Sequence, residues 1–159
     1  MLNKINLKEQ LISTIKTDIE KHRKSFESVK QASIDAPGRM QSRYDTMGIE
    51  SAWMADGLVK SLVEKEKNLM HLETCHFTDT AKFIGVGSIV GISSSDSPML
   101  EYFFLLPLFS GYELQEKDIT ITTLTPETPL GKVLIGRQAG EKIAVNFPLR
   151  RTITVEVLI

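Results

Sequence analysis

Leu7, Leu11, Ile15, Ile19, Phe26 and Val29 recur every three to four residues, the spacing that lines one face of an α-helix. His22 occupies the same stripe between Ile19 and Phe26, and Lys8, Glu9, Lys16, Asp18, Glu20, Lys21, Arg23 and Lys24 fill the other face. The pattern predicts a helix from Leu7 to about Ser33, roughly 40 Å long at 1.5 Å per residue. A narrow apolar stripe on so long a helix suits a coiled coil. Asp35-Ala36-Pro37-Gly38 interrupts it, and adjacent proline and glycine mark a turn. A second helix is predicted from about Arg39 to Glu73, with Tyr44, Met47, Trp53, Met54, Leu58, Leu62, Leu69 and Leu72 at its apolar positions. Glu64-Lys65-Glu66-Lys67 reads as a solvated face with local pairing. Two long helices joined by a short turn make an antiparallel hairpin, with its tip near residues 34–46.

The second half changes character. It is rich in Gly, Pro, Thr, Val and Ile, and its apolar runs are short. Strands are predicted at Gly87–Ile92, Glu101–Leu106, Ile119–Leu124, Ile143–Val145 and Arg151–Ile159, the last by its apolar–polar alternation. Ser93 to Pro98 reads as a polar turn. Before the final hairpin lies a short helix with its own punctuation. Thr128 is placed to cap the N-terminus with its hydroxyl, and Pro129 follows at the first helical position, where a missing N–H costs nothing. Leu130, Val133 and Leu134 form one apolar face, and Gly136 is placed for the C-terminal cap. The expectation is an α+β chain with segregated halves: a helical hairpin over residues 1–76, then an antiparallel sheet of about five strands with one short helix over residues 77–159. Residues 74–82 read as the linker.

Composition narrows the function classes. The chain has 159 residues and a net charge of −1, so no global field argues for direct nucleic-acid binding. A single cysteine, Cys75, makes no internal disulfide and fits a reducing cytoplasm. No apolar run approaches the roughly 20 residues of a membrane span. The N-terminus lacks an apolar signal-peptide core. His71, Cys75 and His76 offer three ligand types, but no second cluster completes a tetrahedral metal site. Gly85-x-Gly87 lacks a third glycine for a dinucleotide site, and no serine sits in a nucleophile elbow. No free-standing catalytic constellation, metal site or cofactor site emerges, and no enzyme activity is expected.

Thr128-Pro129-Leu130, Leu134-Ile135-Gly136-Arg137 and Gly140-Glu141 resemble the C-terminal core of the bacterial Gre transcription elongation factors (GreA/GreB). That core reads Ser-Pro-Leu/Ile, then Leu-Leu/Ile-Gly-Lys/Arg, then Gly-Asp/Glu. The order of hairpin and sheet is also that of a Gre factor, in which a coiled-coil hairpin precedes an FKBP-like domain. The resemblance implies a monomeric partner of RNA polymerase. The sheet domain would dock at the rim of the secondary channel through Thr125, Pro126, Thr128, Pro129, Leu130 and Gly136. The hairpin tip would point toward the active site, and nucleic acid, DNA included, would be met indirectly through the polymerase. An FKBP-like fold does not by itself confer prolyl isomerase activity.

The tip departs from the family pattern. Cleavage factors carry an Asp and a Glu three residues apart, followed by an aromatic residue, because two-metal phosphoryl transfer uses hard oxygen ligands. Anchoring on Tyr44 puts Pro37 and Met40 at those positions, and neither offers a carboxylate. The nearest carboxylates are Asp35 and Asp45. They either replace the pair or serve as a turn residue and an exposed residue. Arg39 and Arg43 also fall at the tip, where they would attract phosphate or an acidic partner or act as ordinary solvated residues. Stimulated cleavage of backtracked RNA, modulated elongation and simple occupancy of the channel all stay open. So does a coiled-coil adaptor unrelated to transcription.

Overall fold

The computed structural model describes residues 2–35, 47–77, 82–146 and 150–159, with side chains left undescribed at 32–35, 47–52, 55 and 98. The elements run α1 (Lys4–Asp35), α2 (Met47–Thr74), β1 (Ile89–Ser94), β2 (Ser97–Leu105), β3 (Glu113–Glu116), β4 (Ile119–Leu124), α3 (Pro129–Leu134), β5 (Lys142–Val145) and β6 (Arg151–Leu158). Packing divides the chain into two units. Ile12–Glu73 form one; the residues up to Leu11, together with Thr74–Ile159, form the other.

In the helical unit, Lys16 pairs with Glu73 at 2.9 Å and Arg23 pairs with Glu66. Seven residues forward on α1 match seven residues back on α2, so the helices are antiparallel. Ile15, Ile19, Leu69 and Leu72 are buried, as the helical stripe requires. α1 extends beyond the predicted Leu7–Ser33 at both ends. Its start is set by Asn3, whose side-chain oxygen accepts from the N–H groups of Ile5 and Asn6 at 3.0 and 3.3 Å, a local N-cap. The predicted start of the second helix, 39–46, falls outside the described residues.

The other unit is built on a six-stranded sheet of order β3-β4-β2-β1-β6-β5. Four of its pairings are antiparallel and one, β2 with β4, is parallel. The expected order of helices followed by an antiparallel sheet with one short helix holds in a mostly antiparallel sheet, with six strands where about five are expected and with β2 and β4 parallel. The chain leaves β2, runs down the edge as β3, and turns at Lys117 (φ 56°) to return as β4 between them. β4 must then run with β2. β3 was missed because Glu113-Leu114-Gln115-Glu116 is short and polar, with only Leu114 and Glu116 turned inward. The predicted turn at Ser93–Pro98 is also tighter than expected, because β1 continues through Ser94 and β2 starts at Ser97.

One face of the sheet carries the core. Val90, Ile92, Leu105, Leu124, Ile143, Val145, Ile153 and Val155 pack with Ile84 and with Leu134 of α3. On β2, Leu105 joins this cluster while its neighbour Phe104 meets Phe77 edge-on, ring centroids 5.4 Å apart. The first turns of α1 belong to this unit and guard its β3 edge. The Gln10 amide nitrogen donates to the Gln115 carbonyl at 2.9 Å, and Gln115 N–H donates back to the Gln10 oxygen at 3.3 Å. The Asn3 N–H donates to both carboxylate oxygens of Glu116. An open strand edge invites pairing with another chain, and here a side-chain amide stands in for the missing strand.

Candidate docking surface

Thr128 organises the segment between β4 and α3. Its backbone is extended (φ −67°, ψ 152°), and its hydroxyl accepts from Gly131 N–H at 3.1 Å, as the sequence predicts for an N-cap. The same hydroxyl donates to the Thr125 carbonyl at 2.7 Å, and Thr128 N–H donates to that oxygen at 3.1 Å. One carbonyl thus holds the turn Thr125-Pro126-Glu127-Thr128 closed from two sides. Pro126 and Pro129 restrict the backbone further, since each fixes its own φ. Pro129 is the first residue of α3.

Gly131, which the sequence pattern did not single out, makes this closure possible. A β-carbon there would lie 2.0 Å from the Thr125 oxygen and 2.9 Å from the Thr128 hydroxyl. Only a residue without a side chain lets the turn fold over the first turn of the helix. A glycine three positions after a capping threonine is the only signal in the sequence, and by itself it reads as a weak helix residue.

α3 is anchored from below. Leu134 is fully buried, and Leu130 and Val133 pack against the core cluster, so the predicted apolar face is the buried one. Ile135 ends the helix, its N–H donating to the Gly131 carbonyl at 3.0 Å. Gly136 follows at φ 79°, in the left-handed region where glycine costs least. Its N–H donates to the Ile84 carbonyl, and Ile84 N–H donates to the Arg137 carbonyl, both at 2.8 Å. Both ends of α3 are therefore fixed.

The outward surface combines Pro129 with half-buried Thr125, Pro126 and Leu130. Ile135 and, beside Ile84, Phe83 are also exposed. Glu127 stands at the apex with 89% of its side chain exposed, 3.8 Å from the Lys132 ammonium. An exposed pair at that separation contributes little to stability, so Glu127 is held by its backbone and left available. Thr125, Pro126, Thr128, Pro129, Leu130 and Gly136 thus lie on one short, rigid segment.

The hairpin-tip candidates divide differently. Asp35 is the last residue of α1. Arg39, Arg43 and Asp45 lie outside the described residues. Among the described residues no group of three His, Cys, Asp or Glu side chains could hold a metal ion. No described helix is long and apolar enough to cross a membrane. Cys75 is half-buried, and its carbonyl accepts from the Lys8 ammonium at 2.6 Å.

No family model matches the chain, and no curated protein matches it. Solved structures do. GreA factor homolog 1 (Gfh1) of Thermus thermophilus is 16% identical with a TM-score of 0.39, covering 93% of this chain and 94% of that one. Gfh1 of Thermus aquaticus is 15% identical with a TM-score of 0.38, covering 92% of each chain. The prokaryotic transcription elongation factor GreA/GreB from Nitrosomonas europaea is 14% identical with a TM-score of 0.36, covering 59% of this chain and 78% of that one. At this identity and superposition the likeness assigns neither family nor function.

Proposed function

We propose that this protein is a Gre-like regulator that binds bacterial RNA polymerase at the secondary channel. In this reading the α3 turn docks on the channel rim and the hairpin carries residues 35–45 toward the active site. The observation that supports it most is the locked turn at Thr125–Thr128. Around the buried Leu134, the residues that resemble the Gre core frame a hydrogen-bonded turn that exposes Glu127 and Pro129, and its closure depends on Gly131. Rigid presentation reduces the ordering cost that a flexible loop would bring to binding.

The tip sequence bears on what docking achieves. Pro37 and Met40 stand where cleavage factors carry carboxylates, and neither side chain offers an oxygen to a metal. The residues that align with the family's acidic pair do not fit a metal. Arg39 and Arg43 favour contact with phosphate or acidic groups. Asp35 and Asp45 are the carboxylates left to supply any stimulation of cleavage. These residue types favour occupancy of the channel over cleavage.

Direct binding tests the docking claim. Immobilised core RNA polymerase is exposed to the protein and to a Pro129→Ala/Leu134→Asp variant whose fold is checked by circular dichroism. Saturable binding by the parent and loss of binding by a folded variant are the expected results. A folded variant that binds like the parent removes α3 as the docking surface, and a parent that does not bind removes the polymerase. The second reading, an adaptor for a helical partner, draws on Trp53, Met54, Val63 and Met70, all exposed on α2.

A further inference from the structure

Phe109 lies in the left-handed backbone region, at φ 65°. A bulky side chain there is a steric outlier. Gly111, two residues on at φ 86°, adopts such angles readily. Strain of this kind persists only where the surroundings over-determine the backbone, and it clusters at functional sites. Stability alone favours glycine at position 109.

The hydrogen bonds on either side of Phe109 show what holds it. β4 lies between β2 and β3, so the chain leaving β2 crosses the end of β4 to reach β3. It departs at Leu106, whose N–H donates to the Leu124 carbonyl at 2.8 Å on one side of β4. It lands on the other side, where Gly111 N–H donates to the Thr123 carbonyl and Thr123 N–H donates to the Tyr112 carbonyl, both at 2.8 Å. Tyr112 N–H also donates to the Thr123 hydroxyl at 2.9 Å. Pro107-Leu108-Phe109-Ser110 make the whole crossing, about 10 Å or two strand spacings, and Phe109 is its left-handed residue. Because β2 and β4 are parallel, this arch and the Thr125–Thr128 turn emerge at the same end of the sheet. Pro107, Leu108 and Phe109 are half-buried and Ser110 is exposed. The Phe109 ring meets Tyr112 edge-on, centroids 6.2 Å apart, and neither ring belongs to the buried core.

We propose that Phe109 is an aromatic anchor of the docking surface, filling an apolar pocket on the polymerase rim beside the site taken by the Thr125–Thr128 turn. This role rests on the proposed docking of the α3 turn and adds to it a residue outside the Gre-like core. An aromatic side chain supplies large contact area with only two rotatable bonds. Here the backbone bonds at Leu106 and Gly111 fix the arch at both ends before any partner arrives, which lowers the ordering cost of binding. The strained φ is the consequence of placing a ring where the arch turns. A phenylalanine that only filled the loop would stabilise the fold, and its removal would leave docking untouched.

Phe109→Gly separates these roles, because it removes the ring and relieves the backbone at once. Affinity for immobilised core RNA polymerase and the urea unfolding midpoint are measured on the full chain, parent and variant. Affinity at least tenfold weaker than the parent's, with a midpoint no lower, is the expected result. A smaller loss of affinity overturns the anchor and leaves docking through α3 standing, whereas a parent that does not bind overturns both. Where the midpoint falls, a second probe decides. In a Cys75→Ser background that keeps Phe109, Ser110→Cys is labelled with a maleimide in the presence and absence of saturating polymerase. Labelling slowed at least tenfold by polymerase supports the anchor, and any smaller effect overturns it.

Discussion

The carbonyl oxygen of Thr125 occupies the space that a side chain on Gly131 would need, 2.0 Å from an added β-carbon. Two effects compete there. Alanine is favoured over glycine inside a helix by about 1 kcal/mol. The clash is with backbone, which has no rotamer to yield, and overpacking of this kind costs about 1–3 kcal/mol. The clash wins. Gly131→Ala should lower the melting temperature by roughly 4–8 °C for a chain of this length. It should also open the Thr125–Thr128 turn, seen as faster amide exchange at Thr128. An unchanged melting temperature would mean that the turn is not closed over the helix.

Thr128 uses one hydroxyl twice, as acceptor for Gly131 N–H and donor to the Thr125 carbonyl. Removing a helix N-cap costs about 0.5–2 kcal/mol. Thr128→Ala should fall in that range by chemical denaturation, and Thr128→Ser should restore most of the loss, because serine keeps the hydroxyl. If serine rescues nothing, the hydroxyl is not what holds the turn.

Gln10 takes the place of a neighbouring strand on the β3 edge with two hydrogen bonds to Gln115. Each such bond contributes about 0.5–1.5 kcal/mol net. Gln10→Ala should speed amide exchange across Glu113–Glu116 and leave β5 unaffected. It should also raise self-association at high concentration, because the edge is freed. Protection at β3 that matches the parent would show that the edge does not depend on this amide.

Much of this was legible in the chain, where the signal is local. The helical stripe through Ile15 and Ile19, the cap at Thr128, Pro129 at the first helical position and Gly136 just past the helix end all follow from spacing and backbone preference. What stayed hidden depends on residues far apart in sequence. Glu113–Glu116 becomes a strand because β4 returns beside it, and the first turns of α1 cover its edge. The parallel pairing of β2 and β4 follows from that same detour. Gly131 reads as a poor helix residue until Thr125 is seen against it. At the tip, the identities of Pro37 and Met40 are plain in the sequence, while Arg39, Arg43 and Asp45 lie outside the described residues.

RNA cleavage in a purified, backtracked elongation complex tests the central claim most directly. The protein is added alone and then in competition with a genuine cleavage factor. The account predicts no cleavage from the protein alone and a dose-dependent block of the factor, which Gly131→Ala weakens. Rapid cleavage by the protein alone would contradict the occupancy reading and point to Asp35 or Asp45 as the carboxylates supplied. Unimpeded cleavage by the factor at saturating protein would contradict binding in the channel.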